Sequence, residues 1–376
     1  MSHLQTILDA AVAAGRAPGF SVAVMDRKGE RQTAAAGRRG GGDAPAVTLD
    51  TLFWIASCTK AVTSFAAMQL VERGQIELDA PVGAHLPMLA APRLLTGFDT
   101  SGAPITAPAK GQITLRHLLT HTSGLAYDFA SESLTRYLNA TGGSLMGVDN
   151  PDIPLLFEPG EAWHYGIGID WAGRLIEAVS GQSLDAYFAE HIFAPLGMDD
   201  TTFFLDPEQT SRKAGVCQKL GDGDFIPIDF GTPAERHFMM GGGGLYSTPS
   251  DYLKFLNAIA RNGAPLLKPD TFALLMSNQT GALNVGDVTS VQPMLSHDFA
   301  ALPGLRKGWG LAGLLNLDAA PGARSAGSMA WAGLANCYYW ADPATGVAGV
   351  VCAQILPFGD PGVLETFAEV ERATYA

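Results

Sequence analysis

Strand-like segments lie near both ends of this chain, and this order of elements constrains the fold more than any other feature. Runs of β-branched and apolar residues predict two strands near the N terminus, at residues 20–25 and 31–36. The C-terminal third contains four more such runs, at residues 311–315, 328–334, 336–341 and 347–354. A chain with strands at both ends and a different pattern between them predicts one mixed domain that both ends of the chain close.

Helical patterns occur at both ends as well and dominate the middle of the chain. Apolar residues at helical spacing predict amphipathic helices near the two termini and a long apolar helix at residues 61–73, with Gly74 as its C-cap. Shorter helices are predicted between loops rich in Gly, Pro and Asp. The remaining predicted helices cover residues 4–12, 114–120, 171–180, 250–262 (with Ser250 as N-cap) and 361–374.

These patterns predict an α/β (α+β) fold with an antiparallel sheet flanked by helices. Residues 1–80 and 245–376 are expected to form this discontinuous α/β domain. Residues 81–244 are expected to form a mainly helical domain inserted into it.

Composition excludes several classes of protein. Hydrophobic residues make up 47% of the 376 residues and charged residues 16%, which is typical of a packed globular protein. The net charge of −13 leaves no basic stripe for nucleic acid and disfavours anionic membrane surfaces. No apolar run approaches the roughly 20 residues of a membrane span, and the first residues resemble a helix rather than a signal peptide. The protein is expected to be cytoplasmic. The sequence carries no information on its oligomeric state.

Ser57 and Lys60 are the strongest candidates for chemistry. They stand three positions apart in the string WIASCTK at a helix start, so the lysine Nζ can approach the serine Oγ. A lysine buried among apolar residues loses its proton more readily, and the neutral amine can then accept the serine proton. The alternative interpretation is a capping serine beside a surface lysine. A Ser-x-x-Lys string alone is weak, but this is the only one in the chain and it opens a long apolar helix.

Two further segments offer groups that could complete a site. Tyr165 lies in a glycine-rich turn before a predicted helix and could project its hydroxyl into a cleft, although a half-buried tyrosine is the commoner fate. The strand at residues 328–334 ends in small residues. The Leu334 N–H there could pair with the Ser57 N–H as an oxyanion hole, although an ordinary strand is the alternative.

Taken in order, Ser-x-x-Lys, a tyrosine motif and a Trp-x-Gly strand resemble the serine β-lactamase and penicillin-binding-protein superfamily. More narrowly, the chain resembles the family VIII carboxylesterases, which share the class C β-lactamase fold. This resemblance implies an active site between the α/β domain and the mainly helical domain. The resemblance implies that Ser57 is acylated, that Lys60 deprotonates it, and that Tyr165 is hydrogen-bonded to both and assists proton transfer. The supporting strings are GFDTSG at 97–102, ITLRHLLTHTSGL at 113–125, WHYGI at 163–167, GGGLYST at 242–248 and WAG at 331–333.

Two departures from the β-lactamase pattern indicate the substrate. Where β-lactamases typically have Asn two positions after the tyrosine, this chain has Ile167, and where they have Lys in the Lys-Thr-Gly strand, it has Trp331. Both changes make the pocket more apolar and favour uncharged esters. The predicted function is a serine carboxylesterase for small, short-acyl esters. A β-lactamase or D-amino-acid peptidase or amidase, and a catalytically silent binding protein on the same scaffold, remain as alternatives.

The other candidates are weaker. No serine has glycine at both minus two and plus two, so the G-x-S-x-G elbow is absent. His117 and His121 have a spacing compatible with a metal, but no Glu stands at the H-E-x-x-H position, and neither a metal nor a cofactor is predicted. His164 and Cys58 are expected to pack, and Asp170 to orient the backbone near the tyrosine loop. The residues predicted to contact a small ester substrate are Trp331, Gly333, Trp309 and Tyr127.

Overall fold

A seven-stranded antiparallel sheet organises the molecule, which we describe from a computed structural model covering residues 3–143, 145, 153–221, 223–232 and 239–376. Its strands lie in the order Lys307–Trp309, Leu314–Asn316, Met329–Gly333, Cys337–Asp342, Val347–Cys352, Gly19–Met25 and Arg31–Gly37. The N-terminal strand β1 (Gly19–Met25) pairs with β15 (Val347–Cys352), so that Val22 lies opposite Val351. The two groups of strands predicted at opposite ends of the chain therefore form one sheet, and the predicted fold class is confirmed.

Shorter strands and the helices complete the fold. The other strands are, in chain order, β2 (Arg31–Gly37), β3 (Phe53–Trp54), β4 (Arg93–Phe98), β5 (Pro104–Pro108), β6 (Cys217–Lys219), β7 (Phe225–Pro227), β8 (Tyr246–Ser247), β9 (Asp287–Val288), β10 (Phe299–Ala300), β11 (Lys307–Trp309), β12 (Leu314–Asn316), β13 (Met329–Gly333), β14 (Cys337–Asp342) and β16 (Ile355–Leu356). The helices are α1 (His3–Ala13), α2 (Thr59–Glu72), α3 (Leu115–Leu119), α4 (Glu132–Thr141), α5 (Gly168–Ser180), α6 (Leu184–Phe188), α7 (Ala194–Leu196), α8 (Pro207–Arg212), α9 (Pro249–Ala260), α10 (Pro269–Leu275) and α11 (Pro361–Tyr375). A π-helical turn, Ala189–Phe193, joins α6 to α7.

Both faces of the sheet are covered, which explains why every residue of β1 is buried. Successive side chains of a strand point to opposite faces. Val22 and Val24 join an apolar cluster with residues of the terminal helices α1 and α11. Ala23 and Met25 join the larger cluster that contains α2, α5 and α9. The apolar run that predicted this strand therefore reflects two-sided burial.

Some local boundaries differ from the sequence prediction. Helix α9 is capped by Thr248, whose hydroxyl accepts from the Asp251 N–H, and not by Ser250, because Pro249 begins the helix. The middle of the chain is less helical than predicted, since β4 and β5 form an antiparallel hairpin there. Asp99 accepts hydrogen bonds from the N–H groups of Ser101 and Ala103, which closes the tight turn between these two strands.

Within the part of the chain that the structure describes, no helix combines the length and apolar character that crossing a membrane requires. The four cysteines, Cys58, Cys217, Cys337 and Cys352, are all buried and free.

Candidate active site

Ser57 lies in a tight turn that leads into a buried helix. A 3-10 turn, Ala56–Cys58, continues directly into α2. Ala56 has a φ of +43°, in the left-handed region that residues with a Cβ rarely adopt. Strain of this kind concentrates at functional sites, and here it sets the backbone immediately before the candidate nucleophile.

Lys60 lies one turn further along and is only 2% exposed. Its Nζ lies 3.0 Å from Ser57 Oγ, the approach that the spacing of the two residues predicts. It also donates to the Gly242 carbonyl oxygen at 2.6 Å and to the Tyr127 hydroxyl at 2.9 Å. An ammonium group has three protons, so three oxygen neighbours satisfy this buried cation fully.

The glycine tract at residues 241–244 packs directly against α2 and supplies acceptors to three side chains. Thr63 Oγ1 donates to the Gly241 carbonyl at 2.6 Å, and Trp54 Nε1 donates to the Gly243 carbonyl at 2.7 Å. The Gly242 carbonyl between them accepts from Lys60. A Cβ on Gly242 would lie 2.4 Å from an oxygen of Asp170, so only glycine allows this close approach.

Tyr165 lies beside Lys60 but contacts it through its ring rather than its hydroxyl. Lys60 Nζ is 4.8 Å from the Tyr165 ring centroid. The Tyr165 hydroxyl instead accepts a hydrogen bond from Trp331 Nε1 at 3.0 Å. The expectation that Tyr165 is hydrogen-bonded to both Ser57 and Lys60 is therefore wrong for the described residues, because the indole N–H holds its hydroxyl towards β13.

Tyr127 takes the place beside Lys60 that was expected for Tyr165. Its hydroxyl accepts from Lys60 and lies beside the Asp170 carboxylate in the first turn of α5. Burial, together with the negative charge of Asp170, raises the pKa of Tyr127 well above its ordinary value. Burial also raises the pKa of Asp170, against the opposing effect of the Lys60 charge. Tyr127 is thus held as a neutral phenol between a cation and a carboxylate.

His121 forms hydrogen bonds to the loop of residues 164–166, which contains Tyr165 and is called the tyrosine loop below. Its carbonyl oxygen accepts from the His164 N–H at 3.0 Å, and its Nδ1 accepts from the Gly166 N–H at 3.3 Å. The two bonds lie on either side of Tyr165, whose ring packs 4.8 Å from the imidazole centroid. Burial, followed by the charge of Lys60, lowers the pKa of His121 well below its ordinary value. His121 therefore acts as a neutral acceptor that orients this loop.

The end of β13 lies against the nucleophile turn, as an oxyanion hole requires. A Cβ on Gly333 would lie 2.2 Å from the Ile55 carbonyl oxygen and 3.4 Å from Ala56 Cβ. Ser57 and Leu334 both line the same cavity. The two backbone N–H groups predicted to bind the oxyanion are thus carried by adjacent segments, and glycine at position 333 permits the contact.

A largely apolar cavity of about 290 Å³ opens above Ser57. Its volume is close to the lower end of the range for small-molecule sites, about 300–1,000 Å³. Trp331 and Tyr127 line it as predicted, whereas Trp309 and Gly333 do not. Trp309 is buried behind Trp331, with ring centroids 4.7 Å apart. The lining is mostly aromatic and aliphatic, and includes Trp54, Phe129, Ile153, Ile167, Trp171, Phe230, Met240, Val288, Leu295, Leu334 and Phe358, together with the charged residues Asp128, Asp170 and Arg174.

The remaining candidates have structural partners. His117 Nδ1 accepts from the Thr114 N–H and closes the N terminus of α3, so the two histidines at metal-like spacing serve different segments. No group of three or more His, Cys, Asp or Glu residues in the described ranges could hold a metal ion. His164 Nδ1 lies 3.0 Å from the Tyr165 carbonyl oxygen, and Cys58 is buried in the core.

Sequence reasoning missed the roles of Tyr127, Gly242 and Asp170 around Lys60. Tyr127 was expected only as a pocket wall, and Asp170 only as a group orienting backbone. The signal that could have found them was the run of four glycines, because a conformationally permissive tract without linker length indicates a close approach of backbone to other groups.

The fold and the site together define a class. A Ser-Lys pair at the start of a buried helix, facing the last residues of an antiparallel strand across a cavity, is the arrangement of the serine β-lactamase and penicillin-binding-protein fold. The profile of the Beta-lactamase family matches residues 4–373. The chain belongs to the beta-lactamase family.

Its relatives include acyltransferases and an esterase. The chain is 33% identical over 348 residues to ML-236A carboxylate methylbutanoyltransferase of Penicillium citrinum, covering 88% of this chain and 82% of that protein. It is 31% identical over 371 residues to lovastatin esterase of Penicillium rubens, covering 94% and 93%. Simvastatin synthase of Aspergillus terreus has a similar structure, with a TM-score of 0.85 at 30% identity, covering 99% of this chain and 97% of that one. The chain thus belongs with β-lactamase-fold serine enzymes that hydrolyse esters or transfer acyl groups.

Proposed function

We propose that this protein is a carboxylesterase of the family VIII kind that hydrolyses small, apolar esters through an acyl-enzyme on Ser57. The observation that carries the proposal is the 3.0 Å approach of Lys60 Nζ to Ser57 Oγ at the base of a largely apolar cavity. Esters need no charged recognition group. An aromatic and aliphatic lining therefore suits them better than it suits a β-lactam carboxylate or a peptide terminus.

The reaction follows two acyl-transfer steps. Ser57 Oγ attacks the ester carbonyl as Lys60 accepts its proton, and the N–H groups of Ser57 and Leu334 stabilise the oxyanion. The ammonium then returns a proton to the alcohol as the carbon–oxygen bond breaks. A water molecule attacks the acyl-enzyme in the same way and releases the acid. The family resemblance gives Tyr165 a part in these proton transfers, and for that its hydroxyl must turn from Trp331 Nε1 towards Lys60, which now faces the tyrosine ring.

Transfer of the acyl group to an alcohol is the second candidate. The same acyl-enzyme serves hydrolysis and transfer, and only the attacking nucleophile differs. Relatives at 33% identity are methylbutanoyltransferases, whereas a relative at 31% identity is an esterase. An apolar cavity that retains an acceptor alcohol beside the acyl-enzyme, while admitting little water, favours transfer.

Hydrolysis of p-nitrophenyl butyrate by wild type and by Ser57→Ala tests the esterase proposal. We expect turnover in the wild type and a loss of at least a thousandfold in the variant, because the nucleophile is absent. Intact-mass measurement during turnover should detect an added butyryl group on the wild type alone. Equal activity in the two proteins contradicts the proposal.

Repeating the assay with added alcohols and with other substrates separates the alternatives. Formation of butyrate esters at the expense of free butyrate indicates an acyltransferase. Faster turnover of a β-lactam or a D-amino-acid amide than of any ester supports the amide-cleaving alternatives. An absence of turnover with all of these substrates supports a silent binding protein.

A further inference from the structure

Asp170 is a buried carboxylate that the acyl-transfer chemistry leaves without a role. It lies in the first turn of α5 and is 5% exposed. One of its oxygens accepts from the Gly242 N–H at 2.9 Å, and the carboxylate lies beside the Tyr127 hydroxyl. Among the described residues, Gly242 and Tyr127 are the two groups other than Ser57 that accept hydrogen bonds from Lys60 Nζ. A single carboxylate therefore holds both of the other acceptors around the lysine.

Counting protons shows what this arrangement does to Lys60. The Gly242 carbonyl oxygen can only accept. The Tyr127 oxygen accepts from Lys60 at 2.9 Å, so its own hydrogen points away from the lysine, where the Asp170 carboxylate lies beside it. In the form that accepts the Ser57 proton, Lys60 has lost one of its three protons and is a neutral amine with two hydrogens and one lone pair. With both hydrogens directed at Gly242 and Tyr127, the lone pair is left facing the third neighbour, Ser57 Oγ, at 3.0 Å.

We infer that Asp170 is a positioning residue that aims the lone pair of the Lys60 amine at Ser57 through Tyr127 and the Gly242 backbone. The inference rests on the proposed acyl-enzyme chemistry, in which the Ser57 proton moves to Lys60 while Oγ bonds to the carbonyl carbon. Without a fixed acceptor on the far side of Tyr127, the phenol hydrogen can turn towards Lys60 and occupy the lone pair. The amine is then blocked as a base.

Asp170→Asn tests this orientation with almost no change in volume. The amide oxygen of Asn can still accept from the Gly242 N–H, but its NH₂ group then faces the Tyr127 hydroxyl and repels that hydroxyl's hydrogen. We expect kcat to fall about 10- to 100-fold, part of what a general base contributes. KM should change little, because the substrate still binds the same cavity.

A double-mutant cycle distinguishes orientation from simple structural damage. Tyr127→Phe alone removes one acceptor and should lower kcat about tenfold, less than the roughly 100- to 10,000-fold that a general base contributes, because Tyr127 only orients the base. In the Asp170→Asn background, the same change removes the misdirected hydroxyl and should cost nothing further, or should recover part of the rate. Groups that act through one another are expected to be non-additive in this way.

Asp251→Asn is the matched control. Asp251 is also 5% exposed and lies in the first turn of α9, where it accepts from the Asp200 N–H and pairs with Lys254 away from the cavity. Its substitution should lower the melting temperature without lowering kcat per folded molecule. Circular dichroism and the melting temperature of every variant are measured alongside the kinetics.

Two rates are measured for each protein: turnover of p-nitrophenyl butyrate, and labelling of Ser57 by an aryl phosphonate followed by intact mass. Labelling needs an activated serine but not the right ester, so it separates this inference from the proposed function. Rapid labelling of the wild type without ester turnover contradicts the esterase proposal. The labelling rates of the variants then decide the role of Asp170. Slow labelling of Asp170→Asn with no additional loss from Tyr127→Phe supports the inference. Three results overturn it. They are labelling of Asp170→Asn at the wild-type rate, losses that multiply in the double variant, and no labelling of the wild type.

Discussion

At the scale of single residues, His121 shows how a titratable group can serve as a fixed acceptor. Its φ of +58° and its two hydrogen bonds to the tyrosine loop require one backbone conformation and one tautomer, with Nδ1 unprotonated. Protonating Nδ1 would place two donors, the ring N–H and the Gly166 N–H, against each other. Its neighbours oppose the same charge, since Lys60 and His164 both lower its pKa further after burial has done so.

His121→Asn tests this role through the pH dependence of stability. The folded-state pKa of His121 is depressed. Below pH ~6.5 the unfolded chain therefore binds a proton at this imidazole that the folded protein does not bind. The wild type should therefore lose unfolding free energy from this group as the pH falls below about 6.5, at a rate that approaches about 1.4 kcal/mol per pH unit. Asn tolerates the positive φ, retains an acceptor and does not titrate, so its stability curve should be flatter by that amount.

Urea unfolding at several pH values measures the difference, with His191→Asn as the control. His191 is partly exposed, and its pKa is only lowered and not strongly displaced, so its substitution should leave the slope close to that of the wild type. The role assigned to His121 is contradicted if the unfolding free energy of His121→Asn depends on pH as that of the wild type does. Turnover of His121→Asn at pH 7.5 should remain within about fivefold of wild type, because losing at most one neutral hydrogen bond costs about 1 kcal/mol or less.

At the scale of elements, the approach of β13 to the nucleophile turn depends on Gly333. An added methyl group would collide with the Ile55 carbonyl, since the separation of 2.2 Å is shorter than any real contact. We expect Gly333→Ala to push the end of β13 away and to move the Leu334 N–H out of reach of the oxyanion. Loss of one such donor lowers kcat by about 100- to 1,000-fold.

Gly349→Ala provides a control of the same chemical size in the same sheet. A Cβ there would lie 2.3 Å from the Trp340 ring, so both variants overpack the protein and should lose about 1–3 kcal/mol of stability. Single-turnover acylation by p-nitrophenyl butyrate should be slowed only in Gly333→Ala. Similar acylation rates in the two variants would remove Leu334 from the oxyanion hole.

A structural feature could be predicted from the sequence where residues close together in the chain cause it. The strands were predictable because burial on both faces selects apolar and β-branched residues along each one, as in β1 and β15. The Ser57–Lys60 contact was predictable because three residues of helix bring the two side chains together. The β4–β5 hairpin was missed because its strands are short, half-exposed and lack a strong alternating pattern.

The rest of the site could not be predicted because it is assembled by packing between distant segments. Tyr127 contacts Lys60 across 67 positions, and Gly242 does so across 182. Nothing local to either segment specifies that contact. The same reason explains why the hydrogen bonds expected for Tyr165 were wrong, since the direction of its hydroxyl is set by Trp331, 166 positions away.

At the scale of the whole molecule, the two ends of the chain close over one face of the sheet and must be held there. Helix α11 is fastened by Glu371, which accepts from Arg324 Nε at 2.7 Å and from Nη2 at 2.9 Å. Arg324 lies between β12 and β13, and the two side chains are 1% and 10% exposed. This bidentate ion pair joins the last helix to the loop that leads into β13.

Glu371→Gln should therefore destabilise the whole protein without altering its chemistry. Removing one partner leaves a buried, uncompensated guanidinium, which costs about 3–5 kcal/mol. Glu365→Gln on the same helix removes an exposed partner of Arg16, with side chains 18% and 59% exposed, and should cost less than about 1 kcal/mol. Urea unfolding of both variants measures the difference, while kcat per folded molecule should match wild type in each. Equal stability of the two variants would mean that the ends of the chain are held by apolar packing alone, and a loss of kcat in Glu371→Gln would mean that α11 also sets the position of β13.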